Sequence, residues 1–152
     1  RTVSSAASDV YKRQVINKPT RTKLQKIFQV KGFKTINISD LVYSGGPVNQ
    51  GNIIMMHTNE WKCKNTLPLA NGISITSDPQ MLKKMHEQDQ PQAWRVFSGL
   101  SIWSPGQLEG EINSKCWMTA IPTPELSLET PTTQIYEKAI EICSKQIIDK
   151  YI

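Results

Sequence analysis

The sequence predicts a single domain of alternating strands and helices, of the α/β or α+β class. Three observations lead there. The 152-residue chain is 38% hydrophobic and 20% charged, with 8 glycines, 9 prolines and 3 cysteines. That balance supports one sizeable core and excludes a disulfide mini-protein, a collagen-like repeat and a disordered chain. The longest uninterrupted apolar run, residues 53–56, is far short of the roughly 18 residues a spanning helix needs. Along the chain, hydrophobic spacing switches repeatedly between a period of two and a period near 3.6. No internal repeat is present.

The elements follow in order. Val15 and Ile16 read as the end of a strand. Thr20 then caps a helix running to about Lys31, with Leu24, Ile27 and Phe28 on one face and Gly32 closing it. Ile36 and Ile38 hint at a strand, and residues 41–43 suggest one more strongly. Gly45-Gly46-Pro47 signals a tight turn between two strands. Residues 52–57 and 72–76 read as buried strands. Asp78-Pro79 starts a helix whose stripe is Met81, Leu82 and Met85. Residues 94–102 form a long strand covered on both faces. Ser104-Pro105-Gly106-Gln107 opens a short helix, with a serine cap, proline in the first turn and glutamine three residues after the cap. Leu108 and Ile112 face inward from it, Glu109 and Glu111 outward. Residues 116–121 suggest a strand and 122–130 a proline-punctuated loop. Thr130-Pro131 caps a last helix with Ile135, Ala139, Ile142 and Cys143 as its core stripe.

The net charge is +5, but it is unevenly placed. Residues 1–35 carry nine basic side chains against Asp9 alone, whereas the rest of the chain holds nine basic and twelve acidic ones. The basic character is therefore local. Residues 1–14, RTVSSAASDVYKRQ, have no hydrophobic periodicity and no apolar core like that of a signal peptide. They resemble a translated adapter sequence and are expected to be a non-native or disordered tail. With three cysteines and no C-x-x-C spacing, neither a disulfide framework nor a zinc module is signalled. A soluble protein of the reducing cytoplasm is the simplest expectation, with no membrane partner and no cofactor.

Three stretches resemble the AlgH/YqgE family of small bacterial proteins. They are Val15-Ile16-Asn17-Lys18-Pro19, then Tyr43-Ser44-Gly45-Gly46-Pro47-Val48 followed by 53–57, and GLSIWSPGQLEGE at 99–111, with Trp117 beyond it. Residues 66–68 and 71–76 also fit the family pattern. The resemblance spans 15 to about 143. Leu100, Ser101, Ile102 and Ser104 replace the tyrosine, alanine and two glycines usual in the third stretch. The family's opening strands have no counterpart. The resemblance implies an α+β fold in which residues 15–152 form one domain lacking those strands. Its sheet would be branched, partly curled into a small barrel and surrounded by helices. It also implies a transcriptional-regulator label with no established reaction or cofactor.

Site candidates are few. His57, Glu60 and Cys63 stand at H-x-x-E-x-x-C spacing, but a metal needs further ligands that the sequence does not place nearby. A strand-end histidine bonded to backbone is the favoured reading. His86 is expected to be solvated. Gly45, Gly46 and Pro47 could expose amides to an anion, and Ser104 with Gln107 could do the same at a helix start; tight turning and capping are the favoured readings. Glu109 and Glu111, two apart, do not converge as a catalytic pair. Trp94 and Trp117 read as core, while Trp103 could line a cleft near the glycine turn. The leading expectation is a non-enzymatic regulatory or interaction protein. One alternative is a ligand-binding protein or enzyme using a cleft near His57, Gly46 and Trp103. The other is nucleic-acid binding through the basic segment 18–34, with Lys18, Arg21, Lys23, Lys26, Lys31 and Lys34, for which a solvated basic helix face is the favoured reading.

Overall fold

The computed structural model describes residues 11–34 and 38–151. Seven strands form one mixed sheet: β1 (Tyr11–Arg13), β2 (Pro19–Lys23), β3 (Leu41–Ser44), β4 (Val48–Thr58), β5 (Thr66–Pro68), β6 (Ile73–Thr76) and β7 (Trp94–Trp103). Their order is β2-β3-β7-β4-β6-β5, and β1 leaves this path to pair with the end of β7. The sheet thus branches at β7, and it stays open rather than closing into a barrel. β3 runs parallel to β7, and the other pairings are antiparallel. Around the sheet lie α1 (Leu24–Val30), α2 (Gln80–His86), α3 (Gln107–Asn113), a π-helical turn (Glu125–Glu129) and α4 (Thr132–Tyr151).

Alternation along the central strands separates two cores. Met55 of β4 and Val96 of β7 face Leu24 and Phe28 of α1 and Met81, Leu82 and Met85 of α2. Their neighbours Met56 and Phe97 point the other way, against Ile73 and Leu128. Both faces of β7 are therefore covered, as its continuous apolar pattern requires.

The glycine turn is tighter than a hairpin. β3 and β4 lie on opposite sides of β7, yet only Gly45, Gly46 and Pro47 join them. The link must cross two interstrand spacings, roughly 10 Å, directly over the β7 backbone. It does so where β7 has Gly99. A Cβ on Gly46 would collide with the Leu100 backbone, and one on Gly99 with the Gly46 carbonyl. Both residues have positive φ, +146° and +78°. Backbone-to-backbone contact at this crossing is what the three glycines allow.

Several sequence expectations give way to tertiary structure. Val15 and Ile16 belong to no strand; β1 ends two residues earlier, and Val15 N–H bonds to Gly45 O at 3.0 Å. Thr20 does not cap α1 but lies in β2, its hydroxyl donating to Val42 O at 2.7 Å. β2 pairs with β3, and sheet pairing outweighs the capping preference. Ile36 lies outside the described residues. α3 begins at Gln107 because Gly106 takes a left-handed φ of +75°. Ser104 and Pro105 therefore stay outside it, although Gln107 Oε1 still accepts the Ser104 amide at 3.1 Å. Residues 116–121 are not a strand: Trp117, Met118 and Ile121 are at least half exposed. The 122–130 loop contains the π-turn, closed by Thr130 N–H to Glu125 O at 2.8 Å. Buried Arg95 holds the Ser127 carbonyl at 3.0 Å and also that of Thr130. β5 had no clear signal, being three residues long with a proline.

Candidate functional site

His57 is fully buried near the end of β4. Its Nδ1 lies 2.7 Å from Thr58 O and its Nε2 2.8 Å from Thr76 Oγ1. A carbonyl can only accept, so the proton sits on Nδ1 and Nε2 accepts from the Thr76 hydroxyl. Thr76 in turn accepts from Thr66 Oγ1 at 2.7 Å, and Thr66 accepts the Cys63 amide at 2.7 Å. The chain runs one way, from the Cys63 amide to the Thr58 carbonyl, and ties β4, β5 and β6 together. Burial pushes the His57 pKa down, against the opposing pull of the Thr58 hydrogen bond and the Glu60 charge. The imidazole also meets the Trp61 ring edge-on at 5.1 Å.

The side chains of Glu60 and Cys63 make no hydrogen bond to His57 itself. Glu60 Oε1 takes hydrogen bonds from the Thr58 hydroxyl (2.9 Å) and the Gln92 amide (2.7 Å), pinning the start of β7. Burial raises the Cys63 thiol pKa, the reverse of what an activated thiolate needs. Among the described residues no group of three His, Cys, Asp or Glu could hold a metal ion. Trp61 is buried, donating to Asp89 Oδ1 at 2.9 Å beneath the Lys84–Asp89 ion pair. His86 is half-buried rather than solvated, its ring tilted 36° against that of Phe33 at 5.3 Å, with Nε2 3.2 Å from Lys34 O.

Trp103, at the end of β7, does line a cleft, of about 380 Å³. Its other apolar walls are Trp117, Leu108, Ile112, Val15 and Ile16, and Arg13, Gln14, Asn17, Ser101 and Thr119 supply its polar lining. The two indoles meet at 78° with centroids 6.1 Å apart. Glu111 fixes them: its Oε2 accepts from Trp103 Nε1 at 3.1 Å and Trp117 Nε1 at 2.7 Å, while Oε1 takes the Gln107 amide at 3.1 Å. These bonds, led by that of Trp117, hold the Glu111 pKa below the usual carboxylate range. So Glu111 turns toward the tryptophans rather than outward. Leu108 and Ile112 line the cleft without being fully buried, and Trp117 is a half-exposed wall rather than core. Trp94 packs beside the α1–α2 core, as its strand position suggests. Only the Gln107–Glu111 spacing, one helical turn, hinted at this arrangement in sequence.

The other candidates are placed apart. Gly45 spends its amide on Ser98 O at 2.9 Å and its carbonyl on the Val15 amide at 3.0 Å, so it presents no free N–H to an anion. Gly46 is buried in the crossing and Pro47 is exposed. Ser104 and Gln107 lie outside and at the start of a seven-residue helix whose first turn carries Glu109, a poor setting for an anion. Gly45 touches the cleft through Ser101, whose hydroxyl lies 3.4 Å from Gly45 O; His57 does not line it. Nor does His57 or either cleft tryptophan line a broader groove, of about 1380 Å³, between β4, β5 and the start of α2. Lys18, Arg21 and Lys23 are not on a helix face. They lie on or beside the sheet-edge strand β2, exposed, and only Lys26 belongs to α1. Proline and cations on an edge strand discourage pairing with other chains. No described helix is long and apolar enough to cross a membrane.

Comparison with known proteins converges on one group. The DUF179 (AlgH-like) family model matches residues 14–147. A UPF0301 protein of Proteus mirabilis is 30% identical over 135 residues, covering 84% of this chain and 72% of the relative. A UPF0301 protein of Vibrio parahaemolyticus is 30% identical over 100 residues, covering 66% of this chain and 54% of the relative. The matched part thus spans little more than half the length of the Vibrio relatives. The solution structure of the AlgH protein from Pseudomonas aeruginosa superposes with a TM-score of 0.73 at 22% identity, covering 88% of this chain and 72% of that one. A crystal structure of a Corynebacterium diphtheriae protein superposes with a TM-score of 0.63 at 19% identity, covering 83% and 69%. At these identities the two structures speak for the fold.

Proposed function

The chain belongs to the AlgH-like family, and from that premise we propose that it works by recognition, as a non-enzymatic regulatory or interaction protein. The observation that carries this reading is the tryptophan cleft. Exposed apolar surface beside a preformed concavity marks binding sites, and here Trp117, Met118 and Ile112 are left 50%, 61% and 39% exposed around it. Orienting both indoles through one carboxylate sets the cleft's shape before anything arrives, which lowers the ordering cost of binding. His57 supports the same reading, since both its nitrogens are committed to the internal hydrogen-bond chain.

The test is a thermal-shift screen of small molecules, peptides, DNA and RNA against the native protein, Trp103→Ala and His57→Gln. A ligand whose stabilisation is lost with Trp103→Ala and kept with His57→Gln is the expected result. A turnover abolished by His57→Ala or Cys63→Ser, and untouched by Trp103→Ala, overturns the reading in favour of an enzyme. A nucleic-acid complex that weakens steeply with salt and needs Lys18, Arg21, Lys23 and Lys26 moves recognition to the β2 edge.

A further inference from the structure

We propose that the Trp103–Trp117 cleft takes a small, uncharged, planar aromatic molecule; this rests on the recognition reading above and names its ligand class. The first argument is shape. With the indoles at 78° and 6.1 Å apart, a flat ring entering the cleft can stack on the face of one while meeting the other edge to face, the two arrangements aromatic pairs favour. The second is space. About 380 Å³ lies near the lower end of the range for small-molecule sites, room for a fused two- or three-ring system. The third is charge. Glu111, the carboxylate closest to the rings, is occupied by two indole N–H groups and the Gln107 amide, and it does not line the cleft.

Val15, Ile16, Leu108 and Ile112 offer only carbon to a ligand's flanks. A cation there would lose water without gaining a carboxylate partner, since no acidic side chain lines the cleft. Asn17, Ser101 and Thr119 at the cleft suit a carbonyl or hydroxyl substituent on the ring. Arg13 is the one ionic side chain in the lining, and its Nη1 already donates to Lys12 O at 2.9 Å.

The experiment titrates the neutral dye N-phenyl-1-naphthylamine, and in parallel its anionic relative 8-anilinonaphthalene-1-sulfonate, into the full chain. Dye emission and tryptophan quenching are followed. Saturable one-to-one binding of the neutral dye is expected. Trp103→Ala and the more exposed Trp117→Ala should each weaken it about tenfold or more, while Glu111→Ala, which releases the indoles but leaves the walls, weakens it several-fold. Far-UV circular dichroism confirms that each variant is folded. Absence of saturable binding, affinity unchanged in both tryptophan variants, or tighter binding of the sulfonate through Arg13 overturns the proposal. If the neutral dye fails while the thermal-shift screen finds a Trp103-dependent ligand of another class, this inference falls and the recognition reading stands. If no Trp103-dependent ligand exists, both fall.

Discussion

The hydrogen-bond chain through His57 gives the protein a pH-dependent stability whose sign can be worked out. The folded state holds a neutral imidazole, its proton on Nδ1 facing Thr58 O and its Nε2 accepting from Thr76. Protonating Nε2 would reverse the hydroxyls of Thr76 and Thr66. Thr66 already accepts the Cys63 amide, so its displaced proton would need a new acceptor. Burial accordingly depresses the folded pKa below 6.5. Between the folded value and 6.5 the unfolded chain holds a proton that the folded one lacks, so stability rises with pH across that window. The contribution is complete above pH 6.5 and is lost as pH falls toward the folded pKa, with a slope of at most about 1.4 kcal/mol per pH unit. Replacing His57 by glutamine removes this slope. At neutral pH the same substitution leaves Thr58 O or the Thr76 hydroxyl unmatched and loses the Trp61 ring contact, for a total of roughly 2–4 kcal/mol. Urea unfolding at pH 7.5, 6.5 and 5.5 measures both effects, and His86, present in both proteins, cancels in the comparison. Parallel stability–pH curves for native protein and His57→Gln, or an imidazole resonance of His57 titrating near 6.5, would refute the reasoning.

Three further outcomes follow from the geometry. Gly46→Ala drives a Cβ into the Leu100 backbone and should cost roughly 3 kcal/mol or more from strain plus overpacking. Gly106→Ala, at a positive φ of +75° in open space, should cost only about 1–2 kcal/mol; urea midpoints compare the two. Arg95→Ala strands the buried Ser127 and Thr130 carbonyls, and about 2–5 kcal/mol of lost stability should appear with faster proteolysis of the 122–131 segment. Arg21→Val with Lys23→Ile strips the cations from edge strand β2, and size-exclusion chromatography at rising concentration should show more self-association in the variant than in the native protein.

What the sequence disclosed was local, and what it concealed was non-local. The stripe of α2, the continuous apolar pattern of β7 and the core stripe of α4 each depend on spacings within a few residues, and each is where the pattern places it; Thr130, read as the cap of α4, instead donates its hydroxyl to Glu125 O at 2.9 Å. Thr20 misled because its own neighbourhood favours a cap, while the deciding partner, Val42 O, is 22 residues away. Trp117 misled differently. The largely apolar segment 116–121 satisfies strand statistics, but no described strand pairs with it; Trp117 and Thr119 line the cleft instead, while Met118 and Ile121 stay exposed. Glu111 was assigned outward because helix periodicity sees only α3. The two indole donors that turn it come from β7 and from the segment beyond α3. The His57 chain has no sequence signature at all, since Thr66, Thr76 and Cys63 meet only once β4, β5 and β6 are in register.

The glycine crossing and the tryptophan cleft are two ends of one device. Ser101 and Trp103 share a face of β7 by the period-two rule. Ser101 lines the cleft and lies beside the Gly45 carbonyl, while Trp103 forms a wall. Gly45 meets β7 through its amide on Ser98 O, and Gly46 rests on Leu100. The β3–β4 link is therefore pressed against the same short length of β7 whose far end carries the indole. β1 clamps that end from Tyr11 to Arg13, opposite Trp103 to Ser101. A side chain added at Gly46 must lift the link off β7 or push β7 aside, and either displacement passes along the backbone to Trp103 within three residues. Gly46→Ala should thus change the emission of the cleft tryptophans even under conditions where the variant remains folded. Gly106→Ala, only three residues from Trp103 in sequence but outside the crossing, should alter it less. An unchanged spectrum in folded Gly46→Ala would mean that the turn serves the fold alone and the cleft is built independently of it.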